Sequence, residues 1–287
     1  MDLLNLIFSQ KYFVNNLEAF NLLRNEFTGV TINPSEILYF FYKIFFVIFI
    51  FFIFYYIGDY LRNFLKFKNK YYSPFVNVAL GYIFIGLAIA FLGIFHLLYF
   101  SYLLFIISIA AIISIHSFYR LSHHTRIIKF LKNFKLSTDI YTWIVIIIVS
   151  LSFLKLLLPE IHEDGYHTDL AKLYLSSHTI MHPARDPLFV IPYAQLPEII
   201  YILPIVFADR ETARIFHFSF FFLSLLLLFR YSKEDKNARF APLLFVTAPI
   251  VMRYSSSQYT DFFMVYCFLL SALLISLGKT KEKFLSG

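Results

Sequence analysis

Residues 76–97 and 99–119 contain no Asp, Glu, Lys or Arg, and a single residue separates them. Each is long enough for a helix to cross a hydrocarbon layer, which takes about 20 residues at about 1.5 Å rise. A soluble domain would have to wrap both segments in polar cover, and the rest of the chain does not supply it. Of the 287 residues 59% are hydrophobic and 21% aromatic, while only 15% are charged, against about 25% in soluble domains. Lipid is therefore the solvent for most of the surface. The expected fold class is all-α: a polytopic integral membrane helical bundle.

Further segments of spanning length lie near 37–57, 140–158, 211–230 and 259–278, with a shorter one at 240–254. The stretch 188–208 is apolar but carries Pro192, Pro197, Pro204 and Glu198. Basic residues orient the set, because short loops rich in Lys and Arg stay on the cytoplasmic side. Arg62, Lys66, Lys68 and Lys70 follow the first span, and Arg120, Arg126, Lys129, Lys132 and Lys135 follow the third. Both loops are expected inside, which puts the N-terminus and the loop after residue 158 outside. If 188–208 crossed the membrane, the basic turn 230–239 and the lysines at 279–283 would also lie outside. Three prolines favour a broken, interfacial or re-entrant helix instead. The expectation is about seven spans, with 159–210 as one long external excursion.

The expected regions are 1–35 as an amphipathic interfacial segment, 36–139 as three spans, and 140–287 as the region holding the external loop. The N-terminus shows neither a basic n-region nor a small-residue cleavage site. Cys267 alone excludes a disulfide within the chain. The net charge of +7 is accounted for by topology, so no nucleic-acid partner is expected. The expected location is an integral membrane protein, in the cytoplasmic (inner) membrane if bacterial.

The densest titratable cluster is EIHEDGYH, residues 160–167, on the expected external side. His162 and His167 are five apart with Gly165 between them, whereas a zinc-protease helix needs histidines four apart. His178 and His182 have that spacing but no carboxylate beside them. Glu160, Glu163 and Asp164 suit a general base at a water–membrane boundary, or simply decorate an external loop. His167 suits proton sharing or phosphate binding. Arg214, one turn inside a span, suits bidentate phosphate recognition or snorkelling to head groups; Arg185 and Arg210 add charge nearby. Lys43 and Lys155 read as snorkelling near span ends. His96 and His116 read as interfacial, His217 as a helix-contact histidine. The expected topology also brings Asp261 to the same side.

The order of these features resembles the GT-C superfamily of polytopic glycosyltransferases, which includes protein O-mannosyltransferases and bacterial aminoarabinose transferases. The likeness runs from about Leu158 to Gly278: Pro159, then Glu163 or Asp164, then Tyr166-His167, an amphipathic helix, and Leu196-Pro197-Glu198. Ala213-Arg214 follows at the head of a span, then Ala248-Pro249, Arg253-Tyr254 and Asp261. The resemblance implies transfer of a sugar from a polyprenyl-phosphate donor, with inversion, to an extracytoplasmic acceptor: a glycan, lipid or protein. It implies Glu163 or Asp164 as catalytic base, and Tyr166, His167, Arg214, Asp261 and Glu160 around the donor phosphate and substrate. A divalent cation, Mg²⁺ or Mn²⁺, is permitted by the acidic groups and not demanded by them. Relatives continue through further spans, so the resemblance implies a shortened or divergent form of that architecture. Two other classes fit the composition: a transporter or flippase, and a non-catalytic subunit of a membrane complex.

Overall fold

A computed structural model of the protein describes residues 34–66, 72–120, 139–156, 166–180, 196–257 and 261–285. The regular elements among them are helical: α1 (Pro34–Phe64), α2 (Ser73–Ile94), α3 (Phe100–Arg120), α4 (Ile140–Leu156) and α5 (Tyr166–Ser177). They continue with α6 (Leu196–Phe207), α7 (Arg210–Glu234), a 3₁₀ turn at Lys236–Ala238, α8 (Ala241–Thr247), α9 (Pro249–Tyr254) and α10 (Asp261–Leu285). The chain divides into the units Met1–Tyr42 and Lys43–Gly287. In the first, the described residues belong to the start of α1, where Tyr39 stacks on Tyr42 with ring centres 6.0 Å apart.

Four helices have the length and apolarity to cross a membrane: α1 from Leu38, α2, α3 to Tyr119, and α7 to Lys233. The chain is thus a helical membrane protein. Large apolar side chains such as Phe91, Phe105, Ile112 and Phe268 point outward, as a lipid solvent allows. Three other apolar helices are shorter: Ile140–Leu156, Leu196–Phe207 and Asp261–Ser276. The expected span 240–254 is instead two short helices. Ala248 is extended (φ −62°, ψ 124°) directly before Pro249, because the proline ring disfavours a helical residue ahead of it.

Within Lys43–Gly287, α1 and α2 cross at backbone distance. A Cβ on Gly58 would stand 1.7 Å from the Asn77 backbone oxygen, and one on Gly81 1.9 Å from that of Phe54. This double approach makes the pair antiparallel, and small residues at such crossings are what lets helices in lipid pack closely. Arg62, expected in the loop after the first span, lies inside α1 and is buried. Its Nη2 is 2.6 Å from Asp59 Oδ1 and its Nε donates to Asn77 Oδ1 at 2.8 Å; Asn77 Nδ2 also donates to Asp59 Oδ1. A buried guanidinium needs such partners, since desolvation of a lone charge costs several kcal/mol.

An aromatic core joins α2, α7 and α10. Tyr82 stacks on Phe263 with centres 3.6 Å apart and meets Phe220 edge-on at 5.2 Å, while the Tyr266 hydroxyl donates to the Phe75 carbonyl at 2.6 Å. Against this core lies α6, buried from Pro197 to Pro204. It packs on α2 and α5.

Long-range bonds sort the helix ends into two groups. One end of the bundle holds Thr179 Oγ1 donating to Gly93 O (2.9 Å), Leu98 N donating to His178 O (3.3 Å), and Lys155 Nζ donating to Arg253 O (3.5 Å). The other holds the Asp59–Arg62–Asn77 network and the pair Arg239–Asp139, at 3.0 Å. The start of α7 belongs to the first end, as does the end of α6, where Phe207 packs on Phe46 and Phe100, while the start of α6 lies deeper, with Leu196 against Gly86.

Candidate functional site

α5 begins at Tyr166, so His167 falls in its first turn; Glu198 falls in the first turn of α6. Packing of α6 against α5 brings His167 Nδ1 to 2.8 Å from Glu198 Oε1. The Glu198 side chain is 0% exposed and the imidazole 15%. A carboxylate this deep is tolerated only with a charged or hydrogen-bonding partner, and the imidazole provides it. The bond also orders the ring, because a carboxylate on Nδ1 fixes which nitrogen carries the proton.

α7 supplies the positive side. Arg210, Arg214 and His217 follow each other at i, i+4 and i+7, which places them on one helix face. Arg210 Nε donates to Thr168 Oγ1 at 3.0 Å, and its Nη2 is 3.7 Å from Asp169 Oδ1, so it ties α7 to the first turn of α5. Arg214 is 4% exposed. Its Nε donates to Ser256 O (3.0 Å) and its Nη2 to Lys155 O (3.3 Å). Of its two expected readings, snorkelling to head groups does not fit, because backbone carbonyls at the ends of α4 and α9 hold the guanidinium inside. His217, 2% exposed, bonds the Tyr254 backbone and lies within electrostatic reach of His167; its ring is 4.9 Å from that of Phe262. This is the helix-contact role expected of it. The Tyr82 hydroxyl and His217 Nε2 are buried and have no hydrogen-bond partner among the described residues. Tyr82 is within reach of Glu198, so both atoms flank the Glu198–His167 pair.

Asp209 caps α7. It accepts from Thr212 N at 2.8 Å and Thr212 Oγ1 at 2.7 Å, and its Oδ2 is 2.7 Å from Lys43 Nζ. Lys43 also bonds Glu211. Lys43 is therefore an internal tie between α1 and α7, buried at 5% exposure, and does not snorkel. Burial alone would push the Asp209 carboxyl up, but the Lys43 ammonium and the Thr212 hydroxyl and amide together hold it below the usual carboxylate value.

Of the residues expected at a site, Glu160, Glu163 and Asp164 lie outside the described residues, as does His182. Tyr166 opens α5. His167 and Arg214 are held on adjoining helices, with Arg210 and His217 between them. Asp261 is the exposed first residue of α10, after the buried Ser255–Ser257 segment that receives Arg214. His178 adopts φ 57° and stacks on Tyr99 at 4.0 Å, with Nδ1 donating to Leu98 O, which is an end-of-helix tie. Among the described residues no group of three or more His, Cys, Asp or Glu could hold a metal ion. Glu198 was missed as a site residue. Its signal was an acid within an apolar, proline-bearing stretch, which lipid-facing sequence does not tolerate without a reason.

The class defined by these elements is a helical membrane protein with a buried polar cluster at one end of its bundle. No protein-family model, curated protein or solved structure matches the chain.

Proposed function

We propose that the chain is a membrane glycosyltransferase that takes a sugar from a polyprenyl-phosphate donor and passes it to an acceptor outside the cytoplasm. The observation that carries the proposal is the His167–Glu198 pair beside Arg210 and Arg214, at the bundle end where EIHEDGYH enters α5. A general base and a set of cations for a departing phosphate are the two things such a transfer needs. The GT-C resemblance supports the same reading, since its ordered features run through the same elements.

In the proposed step Glu163 or Asp164 takes the proton of an acceptor hydroxyl or amine. The acceptor attacks the anomeric carbon with inversion, and the bond from that carbon to the phosphate oxygen breaks. Polyprenyl phosphate leaves with the electron pair, its charge balanced by His167 and the α7 arginines. Tyr82 Oη and His217 Nε2, buried and without a partner among the described residues, are acceptor and donor groups that a polar ligand or water at the cluster would satisfy. In the same proposal α4, α8–α9 and α10 complete about seven crossings, with the polar end facing outward and the basic loops inside.

The test is turnover of a labelled polyprenyl-phosphate hexose by the purified protein. Activity should collapse, by about 100-fold or more, in Glu163→Gln or Asp164→Asn, as expected for loss of a general base. Full activity in both single variants and in the double variant contradicts the mechanism. A buried Glu–His pair in a membrane helix bundle is also what a proton-coupled transporter uses. Substrate-driven proton uptake by proteoliposomes, without release of polyprenyl phosphate, would favour that alternative.

A further inference from the structure

At the end of the bundle away from the His167–Glu198 pair, α4, the end of α7 and α8 enclose a cavity of about 210 Å³. Lys233 and Arg239 line it and are exposed, while Val145 and Pro242 line it and are buried. It thus has a charged mouth and an apolar floor, with the hydroxyls of Thr142 and Ser232 between. Arg239 is preorganised: its Nη2 is 3.0 Å from Asp139 Oδ2, and its guanidinium carbon stands 5.6 Å from the centre of the Tyr141 ring. Asp139 is itself held as the cap of α4, accepting from Thr142 N at 2.9 Å. Arg230 is within electrostatic reach of Lys233. Among the described lining residues, cations outnumber carboxylates.

A mouth of Lys and Arg at helix ends draws anionic phosphate, and a guanidinium fork matches phosphate geometry. An apolar floor behind that mouth is of no use to a free inorganic ion, whereas the glycerol and first methylenes of a lipid would cover it. We propose that this cavity binds the phosphate head group of an anionic phospholipid, with Lys233 and Arg239 on the phosphate and Val145 and Pro242 under the start of the chains. The site is separate from the polar cluster and does not depend on the glycosyltransferase proposal.

Native mass spectrometry of the detergent-solubilised full chain tests it, with phosphatidylglycerol, phosphatidylcholine and inorganic phosphate as probes. The wild-type chain should retain phosphatidylglycerol over phosphatidylcholine by about 30-fold, the expected scale for two cations. Lys233→Gln with Arg239→Gln should abolish the preference. Ser232→Trp fills the cavity and removes no charge, and in a variant that keeps the wild-type thermal midpoint it should abolish the preference as well, which separates loss of the cavity from loss of charge. Displacement of the lipid by millimolar inorganic phosphate overturns the role of the apolar floor and with it the assignment to a lipid; failure to displace supports it. Equal retention of the two lipids by the wild-type chain, or a preference that survives Ser232→Trp, overturns the proposal.

Discussion

Glu198 is the residue on which the polar cluster turns. It is fully buried within an apolar helix, and its Oε1 meets His167 thirty-one positions earlier in the chain. Removing one partner of a buried pair leaves the other uncompensated, so Glu198→Ala should destabilise the protein by about 3–5 kcal/mol, measured by denaturant unfolding in detergent. Asp209 behaves differently because its carboxyl is held below the usual value. A depressed carboxyl contributes stability that is present above its unfolded value and is lost as pH falls through the folded one. Asp209→Asn keeps a good helix cap but removes the charge facing Lys43. The variant should be less stable than wild type by up to about 1 kcal/mol near neutral pH, and the difference should close below about pH 4. A gap independent of pH would contradict the assigned charge pairing. Of these residues, His167 and Arg214 were legible because charged groups beside apolar runs stand out. Lys43 was misread because its partners, Asp209 and Glu211, lie far along the chain, and periodicity carries no information about distant pairing.

At the scale of elements, lengths of apolar runs located α1, α2, α3 and α7 to within a few residues at most ends. α1 is the exception, extending to Phe64 past the expected 57: Asp59 and Arg62 look like a loop in sequence but neutralise each other one turn apart. The stretch 240–254 departs from a single helix for another reason. Its apolarity is sufficient, yet Pro249 removes a backbone donor and forces Ala248 out of the helix. Gly58 and Gly81 set the α1–α2 approach, and neither backbone neighbour is able to swing away as a side chain would. Gly58→Ala or Gly81→Ala should therefore push the helices apart and cost about 1–3 kcal/mol or more, read as a lowered thermal midpoint in detergent. Wild-type stability in both would show that the helices do not touch at these points.

At the scale of the molecule, the described helix ends fall into two groups. The start of α7 and the end of α6 gather at one end, and the Asp59–Arg62–Asn77 and Asp139–Arg239 groups lie at the other. The polar cluster draws His167, Glu198 and Arg214 from α5, α6 and α7, and pairing between segments so far apart in the chain is not written in periodicity, which is why the central pair was not readable in the sequence. The most direct measurement is steady-state release of polyprenyl phosphate from a polyprenyl-phosphate hexose, compared across pH for the wild-type chain and Glu198→Gln. The substitution keeps the size of the side chain and a hydrogen bond to His167 while removing the charge. The prediction is turnover by the wild-type chain, with kcat lowered in the correctly folded variant because His167 loses the carboxylate that orders its ring. No turnover by the wild-type chain, or an unchanged kcat in Glu198→Gln, would contradict it.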